Sequence, residues 1–224
     1  MSQRIIHGIL QGIFLAILLT GCSRPYLPPD GYLPHVIPPT DSCLTPWPAG
    51  ETPYHLRQTV FLETQGQTHV LQGFMILDVD RAEVRIVGLS ELGMKLFDLK
   101  VTSEGHDILA LAPTLGANGE RLADQIALST RRIFLSHRDM ADAEAHLGPE
   151  DLLLIDRSQG SPVVQTCDPR KGQVRRVYDP KRRWSVDFDA YQPMNGFTGP
   201  GRIVYQDHRA GYALTIVLHE VFEP

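Results

Sequence analysis

Apolar and polar side chains alternate along much of this chain with the two-residue period of β-strands. The clearest stretch, Val70–Val101, is divided by two short turns into three β-rich runs, Val70–Val79, Glu83–Leu89 and Met94–Val101. The first run is apolar on both faces, with Leu71, Met75 and Leu77 on one side and Val70, Phe74 and Ile76 on the other. A sheet with two apolar faces must be covered on each side, so we expect a helix or a ligand to lie against this meander.

The same alternation predicts strands on both sides of the meander. One begins at Tyr54 and ends in a hairpin turn at Gly66, and another runs from His106 to Ala112. Asp151–Asp156 fits either a short strand or a last helical turn. Later strands are predicted at Val163–Thr166, Val174–Tyr178, Trp184–Phe188, Gly201–Asp207 and Tyr212–Phe222. Gly196, Gly199 and Gly201, with Pro200, predict a turn.

Between the two strand-rich halves the period becomes helical. Apolar residues recur at near-helical spacing in Glu120–Leu135, a segment without Gly or Pro, at Leu122, Ile126, Leu128 and Ile133. This segment is predicted to be an amphipathic helix across the sheet, and residues 137–146 a second short helix. The predicted fold class is therefore mainly β (α+β), with about ten or eleven strands in one domain, residues 54–224.

The N-terminus has the pattern of a bacterial lipoprotein signal. Arg4 precedes an apolar run, Ile5–Leu19, that is too short for a stable membrane span. Leu19-Thr20-Gly21-Cys22 follows and resembles a lipobox, in which the cysteine is diacylated and becomes the first residue of the mature chain. We therefore expect a signal peptide at residues 1–21 and a membrane-lipid anchor on Cys22. Since Ser23 rather than Asp follows the cysteine, the expected location is the periplasmic face of the outer membrane.

Residues 22–53 are rich in proline, which predicts an extended tether without helix or interior strand. Tyr26, Tyr32 and Trp47 in this tether can pack back onto the domain. With Cys22 carrying lipid, Cys43 and Cys167 remain in an oxidising compartment. They can form a disulfide that ties the tether to the domain, or stay as two independent thiols.

Composition and motifs argue against several functions. A net charge of −5 argues against a nucleic-acid partner, because phosphate-binding surfaces carry a basic excess. The chain has no G-x-S-x-G elbow, S-x-x-K motif or glycine-rich phosphate loop, so we expect no catalytic residue and no cofactor. Donors do cluster at His137, Asp139, Asp142, Glu144 and His146, but without metal-site spacing, so no metal is expected. An enzyme would need a cleft that brings several of these side chains into contact.

The remaining possibility for chemistry is binding without catalysis. An antiparallel sheet with an apolar concave face, crossed by a helix and anchored by lipid, can hold acyl chains in its interior. The candidate cavity-lining residues are Phe74, Ile76, Phe97, Leu99, Trp184, Phe188 and Tyr205. Each of these side chains is equally suited to ordinary core packing.

The stretch Arg85–Phe97, RIVGLSELGMKLF, resembles the outer-membrane lipoprotein receptor LolB and its periplasmic relative LolA. The whole layout, from lipobox to terminal hairpin, is more closely similar to bacterial lipoproteins of the domain-of-unknown-function 3261 family. The resemblance implies an incomplete antiparallel barrel of about eleven strands, capped by helices, with an apolar cavity for the lipid of a client. In the LolB family a leucine on the loop between the third and fourth strands helps to deliver the client to the membrane, and Leu92 lies in the matching turn here.

Two functions follow as expectations. In the first, a monomeric lipoprotein binds acyl or polyene chains of a lipid or lipoprotein client and assists their placement in the outer membrane. The polyene client is what the resemblance implies, because the similar lipoproteins occur among aryl-polyene biosynthesis proteins. In the second, a structural adaptor has a barrel filled by its own side chains and binds a protein partner, with Arg175, Arg176 and Arg182 on the candidate surface.

Overall fold

The computed structural model describes residues 26–35, 41–48, 52–136, 140, 142–158, 161–181, 183–194 and 197–222. The predicted signal peptide and the candidate lipidation site at Cys22 lie outside these residues. Within the described ranges, no helix has both the length and the apolar character needed to cross a membrane.

Thirteen antiparallel strands of the described residues form one continuous sheet. Its order is β1-β7-β8-β9-β10-β11-β12-β13-β2-β3-β4-β5-β6, so β1 and β6 are edges and the sheet does not close into a barrel. The strands are β1 (Leu33–Pro34), β2 (Tyr54–Thr64), β3 (Gln67–Asp78), β4 (Glu83–Leu89), β5 (Lys95–Thr102), β6 (His106–Leu111), β7 (Glu144–Leu147), β8 (Leu152–Asp156), β9 (Val163–Asp168), β10 (Gln173–Tyr178), β11 (Trp184–Met194), β12 (Phe197–Asp207) and β13 (Tyr212–Phe222). The predicted fold, an incomplete antiparallel barrel with helical cover, is confirmed.

Each half of the chain forms a meander, and the two meanders join where the last strand, β13, pairs with β2. This pairing is why an inward side chain of β13, Leu218, lies opposite Gln58 of β2. Interior side chains of both meanders then form one large core cluster on the inner face of the sheet.

The helical segment lies between the two meanders in sequence and packs on the inner face. A 3₁₀ helix (Pro113–Asn118) leads into α2 (Gly119–Thr130), which continues as a π-helical turn (Arg131–Leu135). The predicted helix at Glu120–Leu135 is confirmed. Its face toward the sheet buries Ala123, Ala127 and Ile133, and Arg131 Nη1 donates to Gly105 O at 3.1 Å, which holds the end of the helical segment against the β5–β6 turn.

The prediction of a second helix at residues 137–146 is wrong from residue 144 onward, whereas Met140 and Asp142 have 3₁₀-helical conformation. Residues 144–147 form β7, which pairs with both β8 and β1. The reason lies in β8, whose five residues are all buried and which needs partners along both edges. Tertiary pairing therefore overrides the helical propensity of Glu144 and Ala145.

The turn predicted at Gly196, Gly199, Pro200 and Gly201 is wrong for the last three residues, which lie inside β12, while Gly196 lies outside the described residues. Their glycines serve close packing instead of chain reversal. A Cβ on Gly199 would lie 2.6 Å from the ring of Phe197, and one on Gly201 would lie 2.7 Å from Ala190 O.

The proline-rich segment is folded onto the domain more than a free tether would be. It contributes β1 and a single helical turn, α1 (Asp41–Leu44), which proline content alone argued against. Trp47 is fully buried in the main core, and Tyr26 and Tyr32 pack against the cluster of Leu153, Ile155 and Val164. The opposite face of β8 packs against Met140 and against Cys43 of the proline-rich segment. This segment, which we call the arm, therefore contributes to the cover on both faces of β8.

Cys43 and Cys167 are joined by a disulfide, with Cα atoms 5.5 Å apart. Beside it, Gln165 Nε2 donates to Cys43 O at 2.6 Å and to Leu44 O at 3.1 Å. These contacts attach the arm to β9 and thereby fix the position from which Trp47 enters the core.

Candidate functional site: a cavity between the sheet and the helix

A cavity of about 690 Å³ lies between α2 and the inner faces of β13, β2, β3, β4 and β5. Its sheet side is lined mainly by aliphatic side chains that point inward at every second position, including Val60, Leu62, Leu71, Met75, Ile86, Leu214 and Ile216. Its helix side is lined by one face of the helical segment, including Leu122, Ile126 and Ile133. The helix predicted to cover the meander therefore leaves space beneath it.

The floor of the cavity is a row of four residues that face each other on neighbouring strands. Gln58 lies opposite Gly73, Gly73 opposite Gly88, and Gly88 opposite Phe97. The two glycines have no side chains, and the space above them is taken by their neighbours: the ring of Phe97 lies over Gly88, and the side chain of Gln58 lies over Gly73. The pair of glycines thus lets two longer side chains lie flat and keeps the cavity open.

The mouth of the cavity lies at the end of the sheet where two hairpin turns, β2–β3 and β12–β13, meet the start of α2. Tyr212 opposite Thr64 places the β12–β13 turn beside the β2–β3 turn. The exposed lining residues at this end are polar or small and comprise Gln65, His69, Asn118, Arg121 and Ala210. Arg121 forms no ion pair with any described residue. A polar mouth above an aliphatic interior suits an amphiphilic ligand.

Tyr212 links the mouth to the helix. Its hydroxyl donates to Gln125 O at 3.4 Å, and its ring lies 5.8 Å from the ring of Tyr205. Burial raises the pKa of the Tyr212 hydroxyl, so it stays a neutral hydrogen-bond donor.

Only one of the seven predicted lining residues, Phe97, lines this cavity. The assignments of Phe74 and Ile76 are wrong because these side chains lie on the outer face of β3, where Phe74 is 46% exposed. Leu99 does point inward but is fully buried farther along β5.

Trp184, Phe188 and Tyr205 are buried in the main core cluster and do not line this cavity, so their assignment to its lining is wrong as well. Arg132 of the π-helical turn contacts this part of the core. Arg132 Nη1 donates to Tyr205 Oη at 2.5 Å and to Asp207 Oδ2 at 2.9 Å, and its guanidinium lies 5.0 Å from the centroid of the Trp184 ring. Burial opposes ionisation of Asp207, but hydrogen bonds from Ala210 N–H, Arg132 and Tyr205 outweigh it, and the carboxyl pKa is lowered.

Leu92 protrudes at the same end as the mouth, in the turn between β4 and β5. It is 86% exposed, and Met94 after it is 56% exposed. The turn has a defined shape: Ser90 N donates to Met94 O and Gly93 N to Ser90 O, both at 2.9 Å, and Gly93 has φ of 76°. An apolar side chain is therefore held in solvent by a fixed loop.

Sequence reasoning missed Gln58, Gly73, Gly88 and Tyr212. A signal for the correct face was present in the β2–β3 hairpin, whose two central residues are Gln65 and Gly66. This short turn fixes the register and places Leu71, Gly73 and Met75 on the face of the inward residues of β2.

The candidate donors Asp142, Glu144 and His146 form no metal cluster among the described residues, and His137 and Asp139 lie outside them.

The family comparison covers most of the folded part of the chain. A family model described as "Protein of unknown function (DUF3261)" matches residues 55–220, from β2 to β13. The chain belongs to the DUF3261 family. The family predicted from the sequence is thus confirmed, and the matched residues include every strand that lines the cavity. No curated protein matches this DUF3261 chain in sequence.

Two solved structures are similar to this chain. A LolA superfamily protein from Nitrosomonas europaea has a TM-score of 0.55 at 9% identity, covering 83% of this chain and 93% of that protein. A protein domain assigned to outer-membrane lipoprotein sorting, from Vibrio parahaemolyticus, has a TM-score of 0.48 at 12% identity, covering 78% and 86%. The first likeness shows a LolA-like fold and, at this identity, the fold alone.

Proposed function

We propose that this protein is a non-catalytic lipoprotein, anchored through Cys22 to the periplasmic face of the outer membrane, that binds a lipid chain in the cavity. The client is an acyl or polyene chain of a lipid or of another lipoprotein, and the protein assists its placement in the outer membrane. It works as a monomer without cofactor.

The single observation that carries this proposal is the cavity itself. Its volume of about 690 Å³ lies in the range of small-molecule sites, about 300–1,000 Å³. Aliphatic side chains from five strands and one helix surround it, which suits a hydrocarbon chain, while Arg121 and His69 at the mouth suit a polar headgroup or peptide. The LolA-like fold of the Nitrosomonas europaea protein is consistent with this role.

The position of Leu92 supports the delivery part of the proposal. An apolar side chain on a fixed loop, at the end where the cavity opens, can enter the bilayer while the mouth faces the headgroups. A client chain then has a short apolar path from the cavity to the membrane.

In-cell photo-crosslinking of the full chain tests the proposal. A photoreactive phenylalanine analogue is placed at Leu62, which lines the cavity, or at Phe61, the next residue on β2, which lies on the outer face. We expect irradiation to attach a lipid or acylated peptide to the Leu62 position only, identified by mass spectrometry. If position 62 captures no lipid, or both positions capture the same lipid equally, the cavity is not the binding site. A protein captured only at position 61 would instead favour the adaptor function.

A further inference from the structure

Gln58 is a buried polar residue in the aliphatic part of the cavity. Its side chain is 1% exposed, and its inward neighbours on β2 are Leu56 and Val60. The residues opposite it are Leu218 and Gly73. Its amide oxygen, Oε1, has no hydrogen-bond partner among the described residues.

The chain makes specific room for this amide. A Cβ at position 73 would lie 2.8 Å from Gln58 Cγ and 2.9 Å from Gln58 Nε2, so the amide rests where a side chain of β3 would otherwise be. Next to it in the same row lies the ring of Phe97. The amide is therefore part of the cavity floor and cannot turn away from it without meeting the neighbouring strand.

A buried amide oxygen without a partner is unusual, since the great majority of buried polar atoms are hydrogen-bonded. A leucine or methionine would fill the same place with no such penalty. Gln58 is one of the residues that line the cavity in which the ligand chain is proposed to lie.

We propose that Gln58 accepts a hydrogen bond from the ligand chain itself. The client is then a chain with a hydroxyl or an amide N–H part of the way along it, rather than an unsubstituted hydrocarbon. Thr64, at the mouth, lies six positions after Gln58 along the extended strand β2, so the polar group enters to a depth of roughly 20 Å. This inference rests on the proposed function and defines the chemical class of its ligand.

Competition against a photoreactive fatty acid tests the inference. The full chain is reconstituted in vesicles of phosphatidylethanolamine and phosphatidylglycerol and labelled with a diazirine-bearing stearate. Stearate and a series of hydroxystearates, with the hydroxyl at successive positions, then compete for labelling. We expect one hydroxyl position to compete better than stearate by about fivefold, the effect of one net hydrogen bond.

The matched variant is Gln58→Met, which keeps the volume and removes the amide. It should lose the preference for the hydroxyl position, whereas Phe61→Met, on the outer face of the same strand, should retain it. Dividing the wild-type result by the variant result removes differences in how the competitors enter the vesicles.

The outcomes separate the two proposals. If stearate competes but no hydroxyl position improves on it, the role of Gln58 is overturned while lipid binding stands. The same follows if Gln58→Met keeps the preference. If neither stearate nor any hydroxystearate competes, both proposals fail. The preference is measured on the wild-type chain, so a variant that fails to fold does not remove the test.

Discussion

The ring of Phe97 occupies the space that a side chain on Gly88 would need, because a Cβ at position 88 would overlap the ring. Gly88→Ala must therefore move the ring or part β4 from β5. We expect a loss of about 1–3 kcal/mol in the free energy of unfolding, measured by urea denaturation. Gly105→Ala is the matched control, since nothing lies within 4 Å of a Cβ there and its stability should change by less than about 0.5 kcal/mol.

The double variant Gly88→Ala/Phe97→Leu should recover part of that loss, because the smaller side chain leaves room for the added methyl group. Equal stability of Gly88→Ala and the wild-type protein would contradict the packing described at the cavity floor.

The contact of Arg132 with Asp207 predicts a second large effect. Arg132→Met leaves the Asp207 carboxylate buried without its cationic partner, and we expect a loss of about 1.5–3 kcal/mol in the free energy of unfolding. The control is Arg202→Met, which breaks an exposed pair with Asp189 at 3.2 Å and should cost no more than about 1 kcal/mol. Similar losses in the two variants would show that the buried pair adds nothing.

The sequence predicts those features of the fold that depend on local alternation, and it does not predict those that depend on strand pairing or on contacts between distant residues. Alternation was enough to place β4 and β13 at their observed bounds, because each has one continuous apolar face. The choice between the faces of β3 failed, since Phe74 and Met75 are both apolar and only the pairing with β2 decides which points inward. Arg132 and Tyr205 are far apart in the chain, and no local pattern predicts their contact.

The cavity is formed by the absence of side chains, which explains why the sequence predicted an apolar interior but not the residues that line it. It exists because Gly73 and Gly88 lie opposite each other, and that pairing belongs to the sheet register rather than to either strand. Trp184 and Phe188 have the same inward pattern as true lining residues. Whether an inward side chain borders empty space depends on what lies across from it, which here is the helical segment.

The carboxyl of Asp98 predicts how stability changes with pH. Hydrogen bonds from Arg85 to both oxygens, each at 3.1 Å, lower the pKa of Asp98 below its ordinary value despite burial. The unfolded chain therefore takes up the proton first, and the stabilisation is full above about pH 4 and is lost as the pH falls through the folded-state pKa. We expect Asp98→Asn to make the decline of unfolding free energy in acid shallower.

Asp187 supplies the opposite control for that measurement. Burial raises the pKa of its carboxyl, so its ionisation opposes folding and its protonation in acid relieves that effect. Asp187→Asn should therefore make the acid decline steeper. Urea unfolding between pH 2 and pH 7 resolves the two slopes, and changes of the same sign in both variants would refute the argument.

The disulfide between Cys43 and Cys167 spans 124 residues of sequence. Replacing both cysteines by serine should lower the free energy of unfolding by about 2–5 kcal/mol, because the unfolded chain regains the freedom that the bond removes. Trp47 should then become more accessible, which a red shift in fluorescence and quenching by acrylamide would report, with Trp47→Phe identifying the contribution of Trp184. Reduction of the wild-type protein should reproduce the result, and an unchanged midpoint would show that the arm is held without the bond.

The turn that presents Leu92 predicts a separation between stability and membrane contact. Leu92→Glu places a charge on a side chain that is 86% exposed, so folding should change by less than about 0.5 kcal/mol. In a chain that begins at Ser23 and has no lipid anchor, however, the same change should weaken binding to phosphatidylethanolamine–phosphatidylglycerol vesicles several-fold, measured by co-sedimentation. Leu33→Glu is the control: Leu33 is 70% exposed but lies on β1, the opposite edge of the sheet from the β4–β5–β6 side, and its replacement should leave binding unchanged. Equal binding by wild type and Leu92→Glu would remove Leu92 from the delivery mechanism, while loss of binding in both variants would point to general charge repulsion instead of contact by this turn.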